Sequence, residues 1–418
     1  MPVSIQDAKK KIGSKYAIGI LVLLTLIYTI NFVDRQIVAV LGTQIRKDLN
    51  ISNLQIGYLY GTAFSFFYAI FGIPMGRLAD VYSRRLIIAG GLLIWSFATI
   101  LSGFAATFGI LLFARVIVGI NEAACSPAAY SLLSDYFKPS QRATVISIYS
   151  SGIFIGIGLS FLVGGYIGEL YSWRTAFLTV GTPGIILAVI AYLYIRELPR
   201  GISEQKKSEE APPLKAVLKY MIGRPAIVFH NIGFAFLAFS GYSLLSFISN
   251  IFVDRFKAPL LLPHYGWFMF LTGITIMLSG KMADVLARRN PKYRFWMGIL
   301  AGIACLPLFY AGLYADNGLE ALILIGVGAS IASSYNGVAP AIIQDLVTPG
   351  MRALAGGIYL FVISIIGFGF GPPLTGYLID NVYTGPNGVA HALMTVLVVC
   401  GILASAFLLL AMKFYEKA

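Results

Sequence analysis

Between Ala114 and Tyr136 the chain reads ARVIVGINEAACSPAAYSLLSDY, so an arginine and a glutamate stand inside a stretch that is otherwise apolar enough to dissolve in lipid. A charge near the middle of a bilayer costs on the order of 3 kcal/mol, so such residues face a water-filled path or one another. Arg115 and Glu122 are seven residues apart, which is two helical turns. Both therefore point along one stripe, with Gly119 between them and Ser126 one turn further on. A second pair, Asp34 and Arg35, interrupts the first long apolar run. Together the four sum to zero charge, and they can share a membrane only by compensating one another. Protonating either carboxylate would leave a net positive site able to hold an anion; deprotonation would restore pairing and release it. Glu122, the deeper of the two carboxylates, is the expected proton carrier, with Asp34 beside it. Arg35 and Arg115 are the expected partners of a charged cargo. A static ion-pair pin between the first and fourth helices is the competing reading.

These residues need long apolar helices to hold them, and the composition supplies these. Of the 418 residues, 58% are hydrophobic and 12% charged, with mean hydropathy +0.81, against about 25% charged in a soluble domain. The chain is therefore expected to be an all-α membrane protein, its apolar runs of about 20 residues each long enough to cross a bilayer. The first run begins at Tyr16, and five more cover roughly 54–78, 86–106, 108–136, 143–170 and 174–195. A polar break from Arg196 to Arg224 carries Glu204, Lys206, Lys207, Glu209, Glu210, Pro212 and Pro213, as a solvated linker would, and Leu214 to Met221 within it reads as a short amphipathic surface helix. Six further runs follow, at roughly 225–252, 263–283, 295–314, 319–347, 354–380 and 389–412. Lys9, Lys10 and Lys11 ahead of the first run do not make a signal peptide, because no small-residue cleavage site follows and Asn31, Asp34 and Arg35 continue the helix. Expected domains are thus an N-terminal six-helix bundle (1–197), a cytoplasmic linker (198–224) and a C-terminal six-helix bundle (225–418).

The two halves repeat. GRLADVYSRR at Gly76 to Arg85 returns as GKMADVLARR at Gly280 to Arg289, an offset of 204. Asp135, Pro139, Arg142, Ala143, Ile148 and Tyr149 return as Asp345, Pro349, Arg352, Ala353, Ile358 and Tyr359, an offset of 210. Two matches at nearly one offset imply a duplicated six-helix unit, the parallel-repeat plan of one large transporter class. Of the 31 arginines and lysines, only Arg46, Lys47, Arg174, Arg255 and Lys257 fall on one side of this topology, and Arg35 and Arg115 lie within it. The rest collect on the other side, which places both termini in the cytoplasm. That asymmetry also accounts for the net charge of +13 without a nucleic-acid partner.

Other chemistries find no support. Cys125, Cys305 and Cys400 all lie in apolar runs, with neither a disulfide framework nor metal-ligand spacing, and His230, His264 and His391 are scattered. No cofactor or metal is implied. An ATP-driven pump would need a G-x-x-x-x-G-K-[ST] loop, which is not in the sequence.

In the first repeat Asp80 closes one helix while Arg84 and Arg85 open the next. An aspartate there accepts hydrogen bonds from a neighbouring helix start, and the arginines hold a facing helix by charge, locking one side shut. Gly76 to Arg85 resembles the loop signature of the major facilitator superfamily, G-x-L-A-D-R-x-G-R-R, with Val81 and Ser83 departing from it. NFVDR at Asn31 to Arg35, GINEAACSPAAYSLLSDYF from Gly119 to Phe137, and Arg142 resemble the spinster branch, with Asn121 and Ala124 in place of a glycine and a serine. The resemblance implies twelve transmembrane helices in two six-helix halves, alternating access around a central cavity, and proton-linked movement of lysophospholipids or sphingoid phosphates. Gly76, Asp80, Arg84, Arg85, Asp135, Arg142, Asp284 and Arg288 are then the expected gate. Asn31, Ser126, Asn231, Tyr335, Asn336 and Tyr359 are the expected cavity lining. Phenylalanines of the second, seventh and eleventh helices could offer an apolar room, although lipid-facing or packing roles suit most of them better. His230 beside Asn231 is expected to be a packing residue.

The partners expected are a lipid-like or anionic small molecule, protons and membrane lipid, with the protein a monomer resident by default in the plasma membrane. A carrier of small organic anions such as sugar acids, and a receptor or scaffold without flux, are the alternatives.

Overall fold

The computed structural model describes residues 14–138, 141–198 and 212–415. Among them are no strands and twelve helices long and apolar enough to cross a membrane. In chain order these are α1 (Ser14–Asp48), α2 (Asn53–Gly72), α3 (Arg84–Gly103), α4 (Phe108–Tyr136), α5 (Thr144–Leu170) and α6 (Trp173–Tyr194). After the short α7 (Leu214–Ile222) come α8 (Pro225–Arg255), α9 (Pro259–Arg289), α10 (Pro291–Leu313), α11 (Gly318–Asp345), α12 (Leu354–Asn381) and α13 (Gly388–Lys413).

The helix starts are written locally. Ser52, Thr107, Ser172 and Asn317 each accept a hydrogen bond from the backbone N–H three residues on, and Ser52 and Gln55 form a reciprocal capping box. Pro225 opens α8, at a position where no N–H is needed. Among the described residues four helices contain a stretch of wider π turns: Tyr58–Thr62, Ser160–Gly164, Ile251–Arg255 and Ile363–Phe370. In α12 regular α-helix resumes at Gly371, with Pro372 and Pro373 in its first turn, so the prolines mark a change of helical pitch.

By contacts the chain forms two compact units: residues 1–37 with 66–207, and residues 38–65 with 208–418. Neither is a continuous segment. In the first unit α3 lies along α6, and α5 lies against α1 closely enough that a methyl group on Gly152 would come within 3.1 Å of the Thr25 carbonyl. This brings α1, with its Asp34 and Arg35, into the body of the unit. The second unit holds the 38–48 end of α1 and the start of α2. Arg46 and Lys47 pair with Asp254 at 2.7 and 2.8 Å, and the Thr43 hydroxyl lies 3.1 Å from that of Ser249. Asp380, near the end of α12, caps α2: its carboxylate accepts from the Asn53 N–H (3.3 Å), Asn53 Nδ2 (2.7 Å) and the Leu54 N–H (2.8 Å). A side chain on Gly57 would run into the Pro372 carbonyl, 2.6 Å from its Cβ, so glycine is what lets α2 and α12 touch backbone to backbone. The core of this unit gathers Val217 and Met221 of α7 with Phe234, Phe295, Tyr335, Tyr359 and Tyr415.

Candidate functional site

In the first unit the four charges meet as two crossed pairs. Arg35 donates to Glu122 Oε2 at 3.3 Å, and Arg115 donates to Asp34 Oδ1 at 3.1 Å. Asp34, Arg115 and Glu122 are buried, whereas Arg35 keeps 12% of its side chain exposed. Adjacent residues on α1 thus pair with residues two turns apart on α4, which fixes the rotation of α1 against α4. The quartet is neutral when all four are ionised, so no net charge is left in the low-dielectric interior. Glu122 Oε1 is buried and accepts no hydrogen bond among the described residues. The second oxygen of Asp34 meets the Thr99 hydroxyl of α3, and that hydroxyl also lies 3.0 Å from the Trp95 carbonyl. One hydroxyl proton stands between two acceptors, so the proton on Thr99 and any proton on Asp34 are arranged together.

Aromatic rings surround the quartet. The Arg35 guanidinium lies 4.6 Å from the centre of the Phe32 ring and 4.9 Å from that of Tyr68, a cation–π setting that suits a weakly hydrated guanidinium. Tyr28 stacks on Tyr149 at 4.3 Å, and Tyr130 meets Tyr149 edge-on at 5.3 Å. Ser126 is half-buried and neighbours Tyr28 and Tyr149. Asn31 is buried, and its Oδ1 has no hydrogen-bond partner among the described residues. Sequence reasoning brought out the charges, Asn31 and Ser126; it missed Thr99, which carries no charge and sits in an ordinary apolar run.

The second unit holds the remaining polar candidates. His230 Nε2 lies 3.0 Å from the Ala339 carbonyl and Nδ1 lies 3.0 Å from Asn231 Oδ1, so both ring nitrogens are engaged. Phe234 stacks on Tyr335, and Tyr359 lies 5.4 Å from His230, so these buried rings form a continuous core beside the imidazole. Asn336 is exposed and folds back on the Ser333 carbonyl at 2.9 Å. A cavity of about 60 Å³ opens beside Tyr335, walled by Leu237, Ser240, Tyr265, Met269 and Phe309.

At the repeated loops, each half ties its own helices together. Arg84 is fully buried and donates to Asp135 Oδ2 (2.5 Å), Ser131 Oγ (2.9 Å), Glu197 Oε1 (2.7 Å) and the Leu198 carbonyl (2.7 Å). Glu197 accepts in addition from Ser83 Oγ and the Arg85 N–H. Burial alone would raise its carboxyl pKa, but the Arg84, Arg85 and Ser83 donors outweigh burial and hold it below the ordinary glutamate value. Arg85 lies over the Tyr192 ring at 5.1 Å. Arg142 donates to the Ser134 carbonyl at 3.1 Å. Gly76 has open space where a side chain would project, and the side chain of Asp80 lies outside the described residues.

In the second half Arg352 donates to the Gln344 carbonyl at 3.3 Å, the counterpart of the Arg142 contact at an offset of 210. Arg294 donates to Asp284 at 2.9 Å and also to Asp345. Arg288, the arginine singled out by the motif, is instead exposed. The physical reason is that α9 runs on to Arg289 whereas its first-half counterpart ends at Val81, so six extra residues fall between Asp284 and Arg294 and leave Arg288 in the last turn of α9. At an offset of 210, Arg294 is the residue in the place of Arg84. Glu197 was not picked out from the sequence either, because it lies outside both repeated motifs.

Comparison with known proteins accords with this architecture. Residues 24–368 match the Major Facilitator Superfamily. The chain is 28% identical to an MFS-type efflux pump of Mycolicibacterium smegmatis, covering 93% of this chain and 91% of that one. It is 26% identical to a hexuronate transporter of Bacillus subtilis (89% and 90%) and 28% identical to protein spinster homolog 1 of Rattus norvegicus (87% and 73%). Among solved structures, a bacterial homologue of the human lysosomal transporter spinster, in an inward-facing and unoccupied conformation, superposes with a TM-score of 0.87 at 27% identity, covering 97% of this chain and all of that one. With twelve membrane-length helices, a match over most of its length and spinster homologues among its relatives, the chain belongs to the Major Facilitator Superfamily of transporters.

Proposed function

We propose that this transporter couples proton movement to alternating-access transport of lysophospholipid-like or sphingoid-phosphate-like amphiphiles, with both termini cytoplasmic. The observation that carries the proposal is the neutral, largely buried quartet of Asp34, Arg35, Arg115 and Glu122, with Glu122 Oε1 accepting no hydrogen bond among the described residues. Adding a proton to Glu122 leaves one guanidinium in excess, and a phosphate-bearing headgroup restores neutrality. Releasing that proton returns Arg35 to Glu122 and weakens the hold on the headgroup. Phe32 and Tyr68 supply aromatic walls beside the same arginine, and the stacked Tyr28 and Tyr149 rings extend the aromatic surface. The likeness to spinster proteins supports the lipid class of cargo, and the lysine and arginine asymmetry of the loops supports the orientation. The two bundles, 1–197 and 225–418, act as the moving halves, and the Arg84 and Arg294 networks steady the helix ends within each.

The deciding experiment is uptake of labelled lysophospholipid into proteoliposomes with and without an imposed pH gradient. The wild-type protein accumulates substrate only with the gradient; Glu122→Gln and Asp34→Asn both lose that stimulation while exchange without a gradient persists. Full gradient-driven uptake by both variants would overturn the coupling. The likeness to a hexuronate transporter favours a second reading, in which the same arginines hold a small organic anion. Competition by small carboxylates separates the two: block by millimolar sugar acids selects the second.

A further inference from the structure

Helix α7, Leu214–Ile222, takes no part in the charge quartet or in the arginine networks, yet its faces are sharply divided. Val217 and Met221 are buried in the core of the second unit. Leu214, Leu218 and Ile222 recur every four residues and stay 44%, 36% and 72% exposed. At 3.6 residues per turn these five side chains form one apolar arc of roughly 140°, of which the bundle covers only one edge. Lys215 and Lys219 follow directly around the helix from the uncovered edge, both exposed, while Arg224 at the end lies 4.4 Å from the Tyr220 ring. An apolar stripe bordered by lysines is what a helix lying in a bilayer surface presents: the stripe enters the acyl boundary and the ammonium groups reach up to phosphates.

Two further observations place the lipid boundary there. Gly223 and Arg224 are all that separate α7 from Pro225, where a membrane-length helix begins. Phe295 and Tyr415 lie in the same core cluster as Val217 and Met221, and their chain neighbours Trp296 and Phe414 are 40% and 44% exposed. Exposed aromatic rings at helix ends mark the headgroup level. We propose that α7 is a lipid-surface anchor: Leu214, Leu218 and Ile222 insert at the boundary while Lys215 and Lys219 select anionic headgroups. The end of the linker is thereby fixed to the membrane surface, and the anchor tightens with the anionic lipid content of the bilayer.

The test uses the full-length protein in vesicles of phosphatidylcholine, with or without phosphatidylglycerol. A fluorophore is placed at Ile222→Cys in one sample and at Ala216→Cys, exposed and facing away from the middle of the apolar stripe, in another. Cys125, Cys305 and Cys400 are buried and do not compete for the label. At residue 222, a lipid spin-labelled near its headgroup is expected to quench about fivefold more strongly than aqueous iodide, with the order reversed at residue 216. Phosphatidylglycerol increases lipid quenching at residue 222, and Lys215→Gln with Lys219→Gln removes that increase. Equal access of iodide to both labels would overturn the anchor. Protection from iodide without lipid quenching would show a protein cover instead and overturn it as well. Lipid quenching indifferent to phosphatidylglycerol would overturn the headgroup selection.

Discussion

Arg115 pairs with Asp34 of α1 at 3.1 Å, and Glu122, two turns along the same helix as Arg115, pairs instead with Arg35. The crossing makes the quartet a register device as well as a charge store. A rotation of α1 against α4 would break both bonds together, and each would leave a buried charge without its counterpart.

The Asp34–Arg115 bond is therefore expected to show strong non-additivity. Arg115→Ala leaves the Asp34 carboxylate buried opposite an empty space and costs about 3–5 kcal/mol. Adding Asp34→Asn removes the stranded charge and recovers most of that loss. Thermal unfolding in detergent of the two single variants and the double variant measures the coupling; simple additivity would contradict it.

Thr99→Val keeps the shape of the side chain and removes the hydroxyl between Asp34 and the Trp95 carbonyl. A loss of about 1–2 kcal/mol is expected for the missing hydrogen bond and its unpaired acceptor. Under the proposal that the coupled proton rides on Glu122, the midpoint of the pH profile of uptake is expected to stay where it is in the wild type. A displaced midpoint would transfer that role to Asp34.

Glu197 gives a pH-dependent term outside the membrane-spanning helices. Its carboxyl is held below the ordinary glutamate value in the folded protein, so the stability it contributes is complete above the unfolded value of about 4.3 and is lost as pH falls through the lower folded value. The wild-type protein is accordingly more heat-resistant than Glu197→Gln at pH 7, and the gap closes in strongly acidic buffer. A gap that stayed constant down to pH 3 would rule out the ionised Glu197–Arg84 contact as its source.

Gly57→Ala tests the contact of α2 with α12. The new methyl group would meet the Pro372 backbone, 2.6 Å away, and backbone cannot swing aside as a side chain can. A loss of about 1–3 kcal/mol is expected, seen as a lower unfolding temperature. Gly72→Ala, in open space on the same helix, serves as the control and is expected to change little.

The spans were legible because hydropathy acts residue by residue: a run long enough to cross a bilayer declares itself without knowledge of its neighbours. The quartet was legible for the complementary reason, since a charge in such a run is costly enough to demand an explanation. What stayed hidden depended on pairing in space. Thr99 resembles any helical threonine until α1 brings Asp34 against it. Arg294 follows six residues of insertion that a motif match does not weigh, and the motif pointed to Arg288 instead. The Asp380 cap joins positions 327 residues apart, and no local pattern foretells it.

That cap also bears on how the protein is made. The second helix leaves the ribosome early, with two backbone amides at its start awaiting a carboxylate that is translated more than three hundred residues later. Helix two therefore enters the bilayer with its end unfinished, and a nascent chain stalled short of residue 380 carries the defect. Completion of the start of helix two is thus tied to the arrival of α12.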